Sequence, residues 1–118
     1  MKVAIIGSRG FPNEQQVRAA VQALAVDVTV VSGGAPGPDS WAVDEAIRCG
    51  RPWQVIRPVL SGATSRGAVA GRYFERNRHI VDAADGVLAF WDGVSKGTAY
   101  TVAYARRRGV PVTLCQLS

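Results

Sequence analysis

The residues best suited to chemistry fall in three glycine-rich stretches. They are Gly7-Ser8-Arg9-Gly10, Ser32-Gly33-Gly34-Ala35-Pro36-Gly37-Pro38-Asp39 and Trp91-Asp92-Gly93-Val94-Ser95-Lys96-Gly97-Thr98. Glycine has no Cβ, so backbone N–H groups in such stretches can approach an anion closely. Each stretch runs from an apolar segment towards a helical pattern, whose N-terminus adds the positive end of its dipole. The chemistry they point to is phosphate binding. None is a standard fingerprint. The first lacks the third glycine of a dinucleotide loop, the second lacks a Gly-Lys-Ser/Thr ending, and Lys96 precedes Gly97 instead of following it. Walker-type ATP hydrolysis is therefore not expected.

A fourth candidate runs from Gly67 to Arg78 and brings Arg72, Arg76 and Arg78, with Arg66 beside it, near Tyr73 and Phe74. Arg72 and Arg76 are four residues apart and share a helix face. Arg76 reads as a guanidinium clamp on phosphate, or else as an ion-pair partner of Asp82 or Glu75. Asn77 stands on an otherwise apolar stripe and needs polar partners. Asp39 is either a helix N-cap or an acceptor for a sugar hydroxyl. Asp92 either caps its own loop or meets the ligand. Trp91 reads as core, and Trp41 and Trp53 as packing or interface residues. Tyr100 and Tyr104 suit a core or a dimer face, and Arg106 to Arg108 suit a helix C-terminus. His79 is the only histidine, which excludes a two-histidine metal motif, and no metal site is expected. Cys49 and Cys115 have no metal or redox spacing and read as reduced core thiols.

The elements that must position these groups follow from periodicity. Short apolar runs at Lys2–Gly7, 28–31, 53–56, 86–91 and 110–115 read as strands. Asn13 and Gln16 make a capping-box pattern before Val17, Ala20, Val21 and Leu24. A second helix starts at Asp39 and stops at Gly50. Residues 57–70 read as a loop, followed by a helix through Tyr73 or Phe74, Asn77, Ile80, Val81 and Ala84. A last helix spans 98–108. This βαβαβαβαβ order predicts a mainly parallel five-stranded sheet flanked by helices, in one α/β domain over residues 1–118. Parallel strands send their carboxyl ends to one edge, so the three loops converge there.

The chain has 118 residues and a net charge of +5. Residues 1–59 hold six basic and five acidic groups, and residues 60–118 hold eight and four. Twelve of the fourteen cations are arginine. That balance suits an anionic partner, nucleotide or nucleic acid, beside the alternative of a solvated basic surface. The apolar runs are too short for a membrane span or a secretory signal, so a cytoplasmic protein without membrane contact is expected.

In order along the chain, these pieces resemble the small YspA/YpsA-related members of the SLOG superfamily. The matching residues are Gly7-Ser8-Arg9 with Phe11, Ser32-Gly33-Gly34-Ala35 with Gly37 and Asp39, and Gly67, Ala70-Gly71 and Arg76-Asn77. They continue with Ala89-Phe90, Gly93, Ser95, Gly97-Thr98 and Gly109-Val110-Pro111-Val112. The superfamily also holds the lonely-guy (LOG) phosphoribohydrolases and the DNA-processing protein DprA. The resemblance implies a Rossmann-like fold, an oligomer such as a dimer, and a bound nucleotide or nucleotide derivative, with no other cofactor required. In this sensor or carrier reading, phosphate lies on loops 33–37 and 95–98 with Arg76 as its charge partner. Ser8 and Arg9 close the site, and Asp39 meets the sugar.

Two alternatives accompany it. One is a LOG-like phosphoribohydrolase or nucleosidase, with Arg76, Asp39 and Asp92 as candidate catalytic residues. LOG enzymes carry a glutamate where this chain has Thr101, and threonine cannot act as a carboxylate base. The other is DprA-like single-stranded DNA binding. Phe74-Glu75-Arg76-Asn77-Arg78-His79-Ile80 and the 32–39 loop look like that family's segments, although Val43 follows Ala42 where DprA has its histidine.

Overall fold

Alternate residues of the first strand serve two different cores. Val3 and Ile5 pack with Val17, Val21, Ala42 and Ala46 on one side of the sheet. Ala4 and Ile6 pack with Ile80, Val81, Val102 and Ala105 on the other. This is the two-residue period of a strand, with both faces covered, as a parallel sheet requires. Ile5 has no exposed surface, so truncating it to alanine costs roughly 3 kcal/mol.

The computed structural model describes residues 1–115. Its elements are β1 (Lys2–Gly7), α1 (Glu14–Ala23), β2 (Thr29–Ser32), α2 (Pro38–Arg48), β3 (Trp53–Val55), α3 (Arg66–Asp82), β4 (Gly86–Phe90), α4 (Lys96–Arg107) and β5 (Val112–Cys115). The sheet order is β3-β2-β1-β4-β5, and every pairing is parallel. Helices α1 and α2 cover one face, and α3 and α4 the other. The chain leaves β1 in one direction through β2 and β3, then returns to its other side with β4. The topological switch point lies between β1 and β4, where strand-end loops diverge and leave a crevice.

The all-parallel sheet agrees with the sequence expectation, and several boundaries differ. Helix α3 starts at Arg66, inside the segment expected to be loop, because the Ser65 hydroxyl accepts the Ala68 N–H at 3.1 Å. Gly67 and Gly71 mask that start, since glycine is a poor helix former. Helix α4 starts at Lys96 behind a Ser95 cap, two residues ahead of expectation. Asp39 is not an N-cap. Gly37 caps α2 at φ +96°, a backbone that side chains rarely adopt, and Pro38 fixes the first turn. Cys49 is exposed rather than core, because it ends α2 and turns towards Glu45, and Cys115 is only partly buried. Trp41 packs half-buried against the core, whereas Trp53 is exposed on the edge strand β3. Tyr100 and Tyr104 join α4 to α3. Arg78 donates to the Tyr100 hydroxyl at 2.8 Å, and the Tyr104 hydroxyl donates to Asp82 at 2.8 Å. No helix among the described residues is long and apolar enough to cross a membrane.

Candidate functional site

At the carboxyl edge, the loops after β1 and β4 are tied together by two hydroxyls. The Ser8 hydroxyl lies 3.3 Å from that of Thr98 and accepts the Asp92 N–H at 3.2 Å. Both side chains are buried, so Ser8 is spent on positioning. Asp92 is exposed, and one of its oxygens accepts the N–H groups of Val94 and Ser95, each at 2.9 Å. Those two bonds hold its carboxyl below the usual carboxylate range. The Trp91 indole donates to the Ser95 carbonyl at 3.0 Å, which fixes the turn from its other side.

The second loop carries the charged centre. Gly33 sits between two buried ionic side chains. The Asp39 carboxylate accepts its N–H at 3.1 Å, and Arg76 donates to its carbonyl at 2.8 Å. A Cβ at Gly33 would stand 2.6 Å from the Arg76 guanidinium and 3.0 Å from the Asp39 carboxylate, so any other residue there would have to displace them. Arg76 also donates to the Asn77 side-chain oxygen at 2.9 Å, which is the partner that Asn77 needs on its apolar stripe. The Tyr73 ring lies 5.5 Å from the guanidinium carbon. Arg76 pairs with neither Asp82 nor Glu75. The ion pairs among the described residues are Arg18–Glu14, Arg18–Glu45, Arg48–Glu45 and Arg108–Asp82.

Burial shapes the electrostatics. Arg76 is 7% exposed and Asp39 5%. Loss of water pushes the Asp39 carboxyl up to about 6, against the pull of Arg76 and the Gly33 N–H. Burial likewise pushes Arg76 down. Asp39 opposes that shift, and Arg9 and Arg57 add to it by repulsion. Folding therefore disfavours the charge on both groups.

A cleft of about 360 Å³ opens at the switch point. It gathers Gly7, Arg9, Asp39, Arg76, Asn77, Asp92, Ser95, Gly97 and Thr98 from the sequence candidates, together with Gly10, Ala35, Tyr73 and Thr101. Thr101 spends its hydroxyl on the Gly97 carbonyl at 2.9 Å. The cleft's carboxylates are Asp39 and Asp92. Gly33 and Gly34 line a neighbouring cleft of about 320 Å³. Ser8, Ser32, Gly37 and Gly93 line neither. Arg57 was not singled out by its sequence, yet it lines the second cleft with Pro58 and Leu60. Its one signal is its place just beyond the carboxyl end of β3. Among the described residues no cluster of histidine, cysteine and carboxylate side chains suits a metal ion.

Two solved structures share the fold. DNA processing protein A (DprA) from Streptococcus pneumoniae matches with a TM-score of 0.83 and 24% identity, over 99% of this chain and 50% of that one. DNA processing protein A from Helicobacter pylori, described with its single-stranded DNA binding mode, matches with a TM-score of 0.77 and 22% identity. That match covers 97% of this chain and 64% of the other. The chain thus spans half to two-thirds of these proteins, and the likeness is one of Rossmann-like fold. No protein-family model matches the chain, and no curated protein does.

Proposed function

We propose that the switch-point cleft binds single-stranded nucleic acid and seats one nucleotide of the strand over Arg76. The sequence put a free nucleotide first and a DNA strand as an alternative. Fold likeness to two DNA processing proteins, one described binding single-stranded DNA, favours the strand.

The observation that carries the reading is the state of Arg76. It is a buried cation lining an open cleft, its hydrogen-bond partners are neutral, and it forms no ion pair among the described residues. Asp39 attracts it without offsetting the cost of its burial, and a phosphate in the cleft would bring a second negative charge to it. Tyr73 offers an aromatic face of the kind on which bases stack. Asp92 is exposed and keeps its second carboxylate oxygen for a hydrogen bond from sugar or base. A phosphoribohydrolase reading has less support, because Thr101 supplies no carboxylate.

The test is fluorescence anisotropy of a labelled oligothymidylate longer than ~16 nucleotides, titrated over a salt series. We expect binding whose logarithm falls with log salt by about 0.7 per phosphate contact. Arg76→Ala should weaken it at least ~tenfold, or ~1.4 kcal/mol. No binding of the oligonucleotide at low salt, or unchanged binding by a folded Arg76→Ala variant, overturns the reading.

A further inference from the structure

We propose that the second cleft is a nucleotide subsite of its own, so that the edge takes two consecutive nucleotides with a phosphate on the wall between them. This rests on the strand-binding reading above and adds its minimum ligand. The two clefts are of nearly equal size, about 360 and 320 Å³. Arg9, Ala35, Tyr73 and Arg76 line both, so one wall with two guanidinium groups separates two comparable spaces.

The spaces differ in chemistry. The first is polar beyond the wall, with Asp39, Asn77 and Asp92. The second is lined by Pro36, Pro58 and Leu60, with Arg57 as a third cation. Leu60 is 41% exposed, a large apolar side chain presented beside arginines. A base has apolar faces and its phosphate is anionic, so a nucleotide matches that mixture. Arg57 is held over the loop: its guanidinium lies 3.4 Å from where a Cβ of Gly34 would stand, and Gly34 takes φ +71°. Neither Arg9 nor Arg57 forms an ion pair among the described residues, and both repel Arg76. A phosphate on the second-cleft side of the wall would face Arg57 together with Arg9 and Arg76. A single nucleotide in the first cleft would leave Arg57 unmet.

The experiment is competition against the labelled oligothymidylate by thymidine monophosphate, 5′-phosphorylated dithymidylate and the trimer. It is run on the wild type and on Arg57→Gln and Leu60→Ser, both exposed positions whose melting temperatures are checked first. The expected result is a dinucleotide at least ~tenfold stronger than the mononucleotide, with a smaller gain for the trimer. Either substitution should remove most of that advantage and leave the mononucleotide unchanged. Equal competition by monomer and dimer overturns the second subsite while strand binding stands. Equal weakening of monomer and dimer by Arg57→Gln does the same. Failure of the long oligonucleotide itself to bind removes the underlying reading, and this subsite with it.

Discussion

Two buried ionic centres in this molecule are finished to different degrees. Glu45 lies between α1 and α2 and is 1% exposed. Its carboxylate accepts from Arg18 at 3.2 Å, Gln22 at 2.7 Å, Cys49 at 3.3 Å, and Arg48. Those donors, Arg48 foremost and then Gln22, hold its carboxyl well below the usual range. At the carboxyl edge the pattern reverses. Asp39 is pushed up and Arg76 down, and the side-chain and carbonyl partners of Arg76 are neutral. Folding stabilises the charge of Glu45 and destabilises those of Asp39 and Arg76. A charge that fastens two helices is compensated within the chain. The charges at the edge, Asp39 and Arg76, attract one another without offsetting the cost of burying them, and stability lost in this way is what functional sites ordinarily cost.

Glu45→Ala should have the largest effect on stability. It removes the hub between α1 and α2 and leaves Arg18 and Gln22 without that partner. The expected loss is about 3 kcal/mol, measured by urea denaturation at neutral pH. The pH dependence has a definite sign. A depressed carboxyl contributes stability that is present above its unfolded value of 4.5 and lost as pH falls below it. The variant should therefore show a shallower acid limb than the wild type. A loss under ~1 kcal/mol would mean that the hub behaves as a surface ion pair, and the contrast between the two centres would fail.

Asp39→Asn should act in the opposite direction. Asparagine keeps an oxygen for the Gly33 N–H and removes the buried charge. A raised carboxyl means that the folded chain binds more protons than the unfolded chain between pH 3.8 and about 6. This component of stability falls as pH rises through that window and stays low above it. At pH 8 the substitution should add about 1–2 kcal/mol and remove the slope between pH 4 and 6. Loss of the attraction to Arg76 reduces the gain without reversing it, because desolvation is the larger cause. A destabilised variant at pH 8 would show that Asp39 is compensated as Glu45 is.

Much of the edge was legible because glycine and polar residues interrupt apolar runs at strand ends, and a parallel sheet brings those ends together. Asn77 pointed to Arg76 because a polar side chain on an apolar stripe needs a partner nearby. What stayed hidden depends on distance in sequence. The contact of Arg18 with Glu45 crosses 27 positions, and that of Arg76 with Gly33 crosses 43. Neither leaves a local pattern, and nothing in the sequence around Glu45 marks it as a buried hub. Ser8 and Thr98 were legible as polar groups at loop ends, but the bond that joins them spans 90 positions and exists only once β1 and β4 lie side by side. Arg57 follows a three-residue strand in a segment without a motif. Its neighbours at the second cleft come from three different stretches of chain.

Arg57→Gln should have the smallest effect on stability, and its sign is the informative part. Arg57 is exposed and forms no ion pair among the described residues, so its removal costs little packing. It repels Arg76, which burial already disfavours as a cation. The free protein should therefore gain about 0.5 kcal/mol at low salt. At 1 M salt the Debye length shrinks to about 3 Å, and the gain should vanish. Thermal denaturation in low and high sodium chloride reads both. The same substitution is expected to weaken dinucleotide binding, so stability and affinity should move in opposite directions. Were Arg57→Gln destabilising at low salt, Arg57 would be a structural cation like Arg18, and its place beside Arg9 and Arg76 would need no anion to explain it.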